Sequence, residues 1–577
     1  MLLVSPIATH AEFTFLTNNG ALTITGYTGP GGDVLIPDTV YGLPVTSIAD
    51  SAFQSTTSIT NIVVPNTVSN IGNFAFYQCA NLTGAVIPDS VISVGEWAFG
   101  YCVGLTSFAI PQNVAKIANG TFARCSSLNH VAIPNGVTHL GDGAFGYCYN
   151  LTNLTIPQSV LAIGNDTFWD CINLIDIVIP NSVTQIGGGA FVGCTSLTNV
   201  TIPGSVTNIG AGAFSSCTGL RSVSLPNSIA VLRGNTFGYC LKLTEVTIPA
   251  SVTSIEHTAF SQCASLSTIT IPNSVTNLGF RAFDYCTSLT NVTLSTNLST
   301  IEDLTFYQCT NLVSIAVPTG VTDIRMGAFS GCTKLTSMVL PVGVARLGEE
   351  VFYGCTGLTN ITIPNSVTNI GPEAFSGCAN LPAIMIPSSV TSIGNFAFAN
   401  CSSMAAITVE TGNTSFSSVA GVLLNHDQSR LIKYPEGKTG GYVIPDTVNT
   451  INDYAFESSR FLSSIAIPNN VTAMGQSAFS RCTNLASVSI ADSITSIERL
   501  TFRYCTSLTN VALPNSLTTI GDGAFNTCIS LVHITIPDSV TNIGIVAFSG
   551  CASLTEITIP SSVSLLGQGE NEWSGEH

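Results

Sequence analysis

The stretch Cys194–Cys217 reads CTSLTNVTIPGSVTNIGAGAFSSC, and its apolar residues are Leu197, Val200, Ile202, Val206, Ile209, Ala213 and Phe214. Two periods share it. Val200 and Ile202 alternate with Asn199 and Thr201, as in a strand with one buried face. Pro203 ends that strand, because it has no N–H for a ladder and holds the residue before it extended. Beyond the bend at Gly210, Ala213, Phe214 and Cys217 fall three and four apart, the spacing of one face of a helical turn. The segment predicts a coil with a short strand on one side and a short helical turn on the other.

Outward from this segment the pattern recurs with a constant step of 23. All nineteen Cys lie on the grid, from Cys79 to Cys401 and again from Cys482 to Cys551, with a Phe three residues before each. Phe53 and Phe456 extend it, with Thr56 and Ser459 in place of Cys, which makes 21 copies. Twenty of the 26 prolines occupy the position of Pro203. One copy cannot bury its apolar stripe alone, so copies must stack, each Phe and Leu on its counterpart one rung away. At ~4.8 Å per rung the stack is expected to form one elongated domain on the order of 100 Å long. A right-handed parallel β-helix is the alternative fold for such a pattern.

The pattern L-x-x-V-x-I-P-x-S-V-T-x-I-G-x-x-A-F-x-x-C resembles the BspA-like subclass of bacterial surface leucine-rich repeat proteins. It departs from the common leucine-rich repeat, since Pro203 follows the strand at once and Ser205 stands where a ladder Asn would be. The likeness covers roughly residues 34 to 567. It implies a leucine-rich repeat solenoid and a secreted or cell-surface protein that binds or adheres to proteins or glycans. It carries over no ligand-binding motif.

Only 8% of the 577 residues are charged, and the net charge is -17. That balance leaves no basic patch for phosphates, which argues against nucleic acid and anionic membrane surfaces as partners. Mean hydropathy is +0.43, yet Pro, Asn, Ser and Gly interrupt every apolar run short of the ~18 residues a membrane-spanning helix needs. Residues 1–11, MLLVSPIATHA, resemble the back half of a secretory signal without its basic front region. Residues 12–32 read as a β-hairpin cap around Asn19-Gly20, and 33–567 as the solenoid. The grid pauses for 35 extra residues, about 410–441, read as a hairpin insertion, and 568–577 form a polar tail.

Cysteine in an exported chain suggests disulfides, but nineteen cannot all pair, and stacked equivalents hold their Cα–Cβ vectors parallel. Such a row cannot surround zinc tetrahedrally either. Nineteen buried, reduced thiols acting as small core fillers are expected. No cofactor motif is present: Gly437-Lys438-Thr439 resembles the end of a phosphate loop, but Ile432 occupies its first Gly. The seven His are scattered.

A polysaccharide-active β-helix enzyme would need carboxylates ~5 to 9.5 Å apart. The strand track offers Asp176 and Glu245, three rungs or ~14 Å from each other. Its Ser, Thr and Asn residues suggest a further alternative, an array ordering water or a crystal surface. The candidate contact residues lie one or two positions before the Cys: Tyr77, Tyr101, Tyr147, Trp169, Tyr239, Tyr285, Tyr307, Tyr353 and Tyr504. Aromatic rings with a polar tip suit contact surfaces. The expected function is thus a non-catalytic interaction or adhesion module.

Overall fold

The computed structural model describes residues 12–567, so the secretory-signal reading of 1–11 and the polar tail 568–577 lie outside the described residues. The chain forms two compact units, one up to Leu298 and one from Ser299. Both are β-solenoids. Within the first, the strand Asn199–Thr201 pairs in parallel with Ser222–Ser224, residue 199 opposite 222. The 23-residue step is thereby the register of the sheet. Leu197, Val200, Ile202, Val206, Ile209, Ala213, Phe214 and Cys217 are all buried, while Asn199 and Thr201 face outward.

A second strand, two residues long, follows each proline turn. Asn208–Ile209 continues a parallel ladder from Gln185–Ile186. Hydroxyls reinforce these ladders. Ser182 Oγ donates to the Val160 carbonyl at 2.6 Å, and Thr184 Oγ1 donates to that of Leu161 at 3.2 Å. Serine thus links neighbouring rungs in several copies at the position where the common repeat places Asn, whereas the hydroxyls of Ser205, Ser251 and Ser274 are buried without a partner.

The expected helical turn is replaced by another structure. The N–H groups of Gly212, Phe214 and Ser216 donate to the carbonyls of Gly234, Thr236 and Gly238 on the next rung, at 2.9, 3.0 and 2.8 Å. Those of Ala213, Ser215 and Cys217 close back on the third residue before them. Gly212 (φ 64°) and Ser216 (φ 59°) are left-handed, which limits any right-handed run to the three residues between them. A Cβ on Gly210 would run into the backbone of Gly187 and Gly188, which explains glycine at that bend.

The core is a stack of like on like. Phe214 lies between Phe191 and Phe237, with centroids 5.1 and 5.7 Å away. All nineteen thiols are free, eighteen of them buried and Cys551 half-buried. They are more than fillers. Cys217 Sγ donates to the Phe191 carbonyl one rung back at 3.1 Å, and Cys240 Sγ to that of Phe214 at 3.2 Å.

The N-terminal hairpin pairs Phe13–Asn18 with Ala21–Tyr27 and turns at Asn19 and Gly20, both with positive φ. Its second strand pairs with Leu43–Ile48, and Phe13 and Tyr27 pack against Phe53, covering the first ring of the stack. In the second unit the insertion contains three antiparallel strands, Phe416–Val419, Val422–Asn425 and Arg430–Lys433. It does not simply project: Leu424, Leu431 and Tyr434 are wholly buried, and Tyr434 stacks on Phe456 at 4.9 Å.

Candidate functional site

The residue just before each Cys sits at a left-handed corner of the turn, and five of the nine candidate aromatics stand there. Tyr101, Tyr147, Tyr239, Tyr285 and Tyr504 have φ between 56° and 62°. Bulky residues rarely adopt this conformation, and Gly193, Gly331 and Gly354 fill the same corner elsewhere. Tyr239 is 44% exposed and Tyr285 40%, whereas Tyr101, Tyr147 and Tyr504 are half-buried.

Four of the nine come together in the first unit. Tyr77 meets Tyr101 edge-on at 5.3 Å, and Trp97 stacks on Tyr101 at 6.5 Å. Tyr147 stacks on Trp169 at 6.0 Å. Between the two groups lies Arg124, its guanidinium 5.2 Å from the Tyr101 ring and 4.1 Å from that of Tyr147. Phe74 prolongs the strip at one end and Tyr149 flanks it, each edge-on to a neighbouring Tyr. Burial pushes the Tyr77 hydroxyl above its ordinary value. It raises the Asp170 carboxyl too, against the pull of the Trp169 side chain and the Arg124 charge.

The strip can offer ring edges, hydroxyls and one flat cation along consecutive rungs. A guanidinium held between two rings is fixed in plane while its N–H edge stays available. Sequence reasoning missed Phe74, Trp97, Arg124 and Tyr149. Trp97 and Phe74 share a second left-handed corner, with φ 56° and 54°, and Arg124 occupies the very corner that Tyr101 and Tyr147 fill on either side. Comparing the corner positions of adjacent copies would have found them.

The other five candidates lie apart from the strip. Tyr239 and Tyr285 stand on later rungs of the first unit, and Tyr307, Tyr353 and Tyr504 belong to the second. Tyr504 has Arg503 over its ring at 4.6 Å. Among the described residues, no three His, Cys, Asp or Glu side chains are grouped to hold a metal ion. No helix there is long and apolar enough to cross a membrane.

Parallel strand ladders, stacked Phe and a 23-residue register define a leucine-rich repeat solenoid. The model of the BspA type leucine rich repeat region matches residues 46–175, 162–288, 232–353, 322–421 and 441–555, and the chain belongs to that family. Among solved structures it is similar to a leucine rich cell surface protein from Faecalibacterium prausnitzii, at 23% identity, covering 96% of this chain and 95% of that one, with a TM-score of 0.41. A leucine-rich repeat protein from Bacteroides ovatus also matches at 23% identity, covering 87% and 98%, with a TM-score of 0.38. No curated protein matches the sequence.

Proposed function

We propose that the chain is a non-catalytic interaction module, secreted or held at the cell surface, that binds a protein or glycan ligand along the aromatic strip. Membership of the BspA-type family supports the surface reading. The observation that carries the binding site is Arg124 between the rings of Tyr101 and Tyr147, at 5.2 and 4.1 Å. Lys116 and Arg124 are the only Lys or Arg before Arg221, so a cation centred among rings is singular in this half of an acidic chain.

The test is capture on arrays of immobilised extracellular glycans and proteins. The chain with Tyr77, Tyr101, Tyr147 and Trp169 all replaced by Ser is expected to lose the ligands that the unaltered chain retains, without unfolding. Asn199→Ala with Glu245→Ala, on the strand track, is the control and should bind normally. Loss of capture in the control alone would move the site to the strands.

A further inference from the structure

Every regular rung presents the same backbone groups to the next. Its corner donates alternate N–H groups forward, as Gly212, Phe214 and Ser216 do, and within each continuous ladder its second strand receives two N–H groups on its carbonyls. Thr368 and Ile370, for example, accept from Thr391 and Gly394 at 2.9 and 2.8 Å. At the insertion this exchange stops on one side.

In the rung that precedes it, the three forward donors are the N–H groups of Phe396, Phe398 and Asn400. Among the described residues, no acceptor meets the first two. The third donates to Glu436 Oε1 at 2.8 Å, a side-chain oxygen standing where a backbone carbonyl belongs. The carbonyls of Thr391 and Ile393 receive no N–H there, and the strand Ser392–Ile393 is the last of its ladder, as Asn208–Ile209 and Ala473–Met474 are of theirs; the unmet N–H groups of Phe396 and Phe398 are what set this rung apart from those. Arg430–Lys433 pairs onward with Thr450–Ile451, but its other edge is taken by Val422–Asn425 and never closes on Ile393. The core registers the same gap. Ser459 replaces the Cys that would donate to a Phe carbonyl one rung back, and its hydroxyl is buried without a partner.

What remains is a cleft of about 1000 Å³, walled by the turn Ile393–Ala399 on one side and by Phe416, Arg430 and Lys433 on the other. That volume is at the upper end of the ~300 to 1,000 Å³ typical of ligand pockets. At its rim the rings of Phe396 and Tyr454 meet edge-on at 4.8 Å.

We propose that this cleft is a peptide-docking site, in which an extended segment of a partner protein lies along the side of the preceding rung that the insertion leaves uncovered. Its carbonyls take the N–H groups of Phe396 and Phe398, and its own N–H groups reach the carbonyls of Thr391 and Ile393. The occupant follows from the neighbouring rungs, where the N–H groups equivalent to that of Phe398 are met by polypeptide backbone, as those of Phe375 and Phe456 are by the carbonyls of Ala397 and Ala478. Addition of an extended peptide to an open backbone edge is an established mode of recognition. The site is separate from the aromatic strip and stands or falls without it.

The test is selection of a displayed library of random linear peptides on the full chain, followed by affinity measurements with the enriched peptide. Asn395→Trp fills the cleft from an exposed corner, and Arg430→Trp fills it from the opposite wall should the first variant unfold. An enriched peptide is expected to bind the unaltered chain and a Tyr147→Ser chain alike. It should lose affinity at least roughly tenfold when the cleft is filled, and it should slow amide exchange at Phe396 and Phe398. The proposal is overturned if no peptide prefers the open cleft, or if a bound peptide leaves those two amides unchanged. Binding of maltohexaose or of a second copy of the chain that is abolished by Asn395→Trp would overturn it too. So would slow exchange at both amides in the free chain.

Discussion

Phe214 shows how much a single position carries. Its ring is nearly coplanar in orientation with both neighbours, 4° from Phe191 and 9° from Phe237, because identical residues are repeated by near-translation. Phe214→Ala therefore empties a space shared by three rungs and should cost ~3 to 5 kcal/mol. Phe548 is only partly buried and stacks on Phe525. Truncating it should lower the unfolding midpoint less. Equal effects would contradict stability built from neighbouring rungs.

The thiols give a second expectation at this scale. Burial, opposed by the backbone of Cys194, pushes Cys217 from an ordinary 9.0 up to about 12. The fold thus favours the neutral thiol, while the unfolded chain releases its protons from about pH 9 upward. Stability from these groups is whole below pH 9 and declines as pH climbs toward 12. Unfolding midpoints at constant ionic strength should fall across that window, and less steeply with Cys194, Cys217 and Cys240 all replaced by Ala. Alkylation of the native chain by iodoacetamide near neutral pH would contradict buried, protonated thiols.

Among the elements, the strand was legible and the turn was not. Val200, Ile202 and Pro203 state both the period and the end of the strand. The corner has no such signature, because Tyr, Arg, Ser, Gln, Asp and Gly all adopt its left-handed conformation in different copies. Ala213, Phe214 and Cys217 keep helical spacing only because the same face of the turn is buried. The second strand was missed because two residues cannot display a period. In the insertion, Leu431 and Tyr434 looked like half of a hairpin, and only pairing with Thr450–Ile451 shows that this strand replaces part of a rung.

The corner also yields a stability expectation. A left-handed, non-glycine residue costs roughly 1 to 2 kcal/mol, offset by the ~0.5 to 1 kcal/mol of extra entropy that glycine loses on folding. Tyr239, at φ 62° and 44% exposed, has little packing to lose. Tyr239→Gly should leave the denaturation midpoint unchanged or slightly higher. A clear fall would show that this ring supports the fold.

Across the whole molecule, the 23-residue step fixes the buried positions and leaves corners and outward strand positions free to differ. The repeated part was readable because repetition is itself the signal. The strip was half readable: Tyr77, Tyr101, Tyr147 and Trp169 stood out as aromatics near Cys, whereas Arg124 matters only for what lies on the rungs beside it. An interaction module of this design should keep its stability when the strip is altered and lose its ligand. The most direct measurement is a paired one on Arg124→Ala, comparing affinity for an array-captured ligand with thermal unfolding. Affinity is expected to fall at least roughly tenfold with the unfolding midpoint unchanged; full affinity in that variant would contradict binding along the strip.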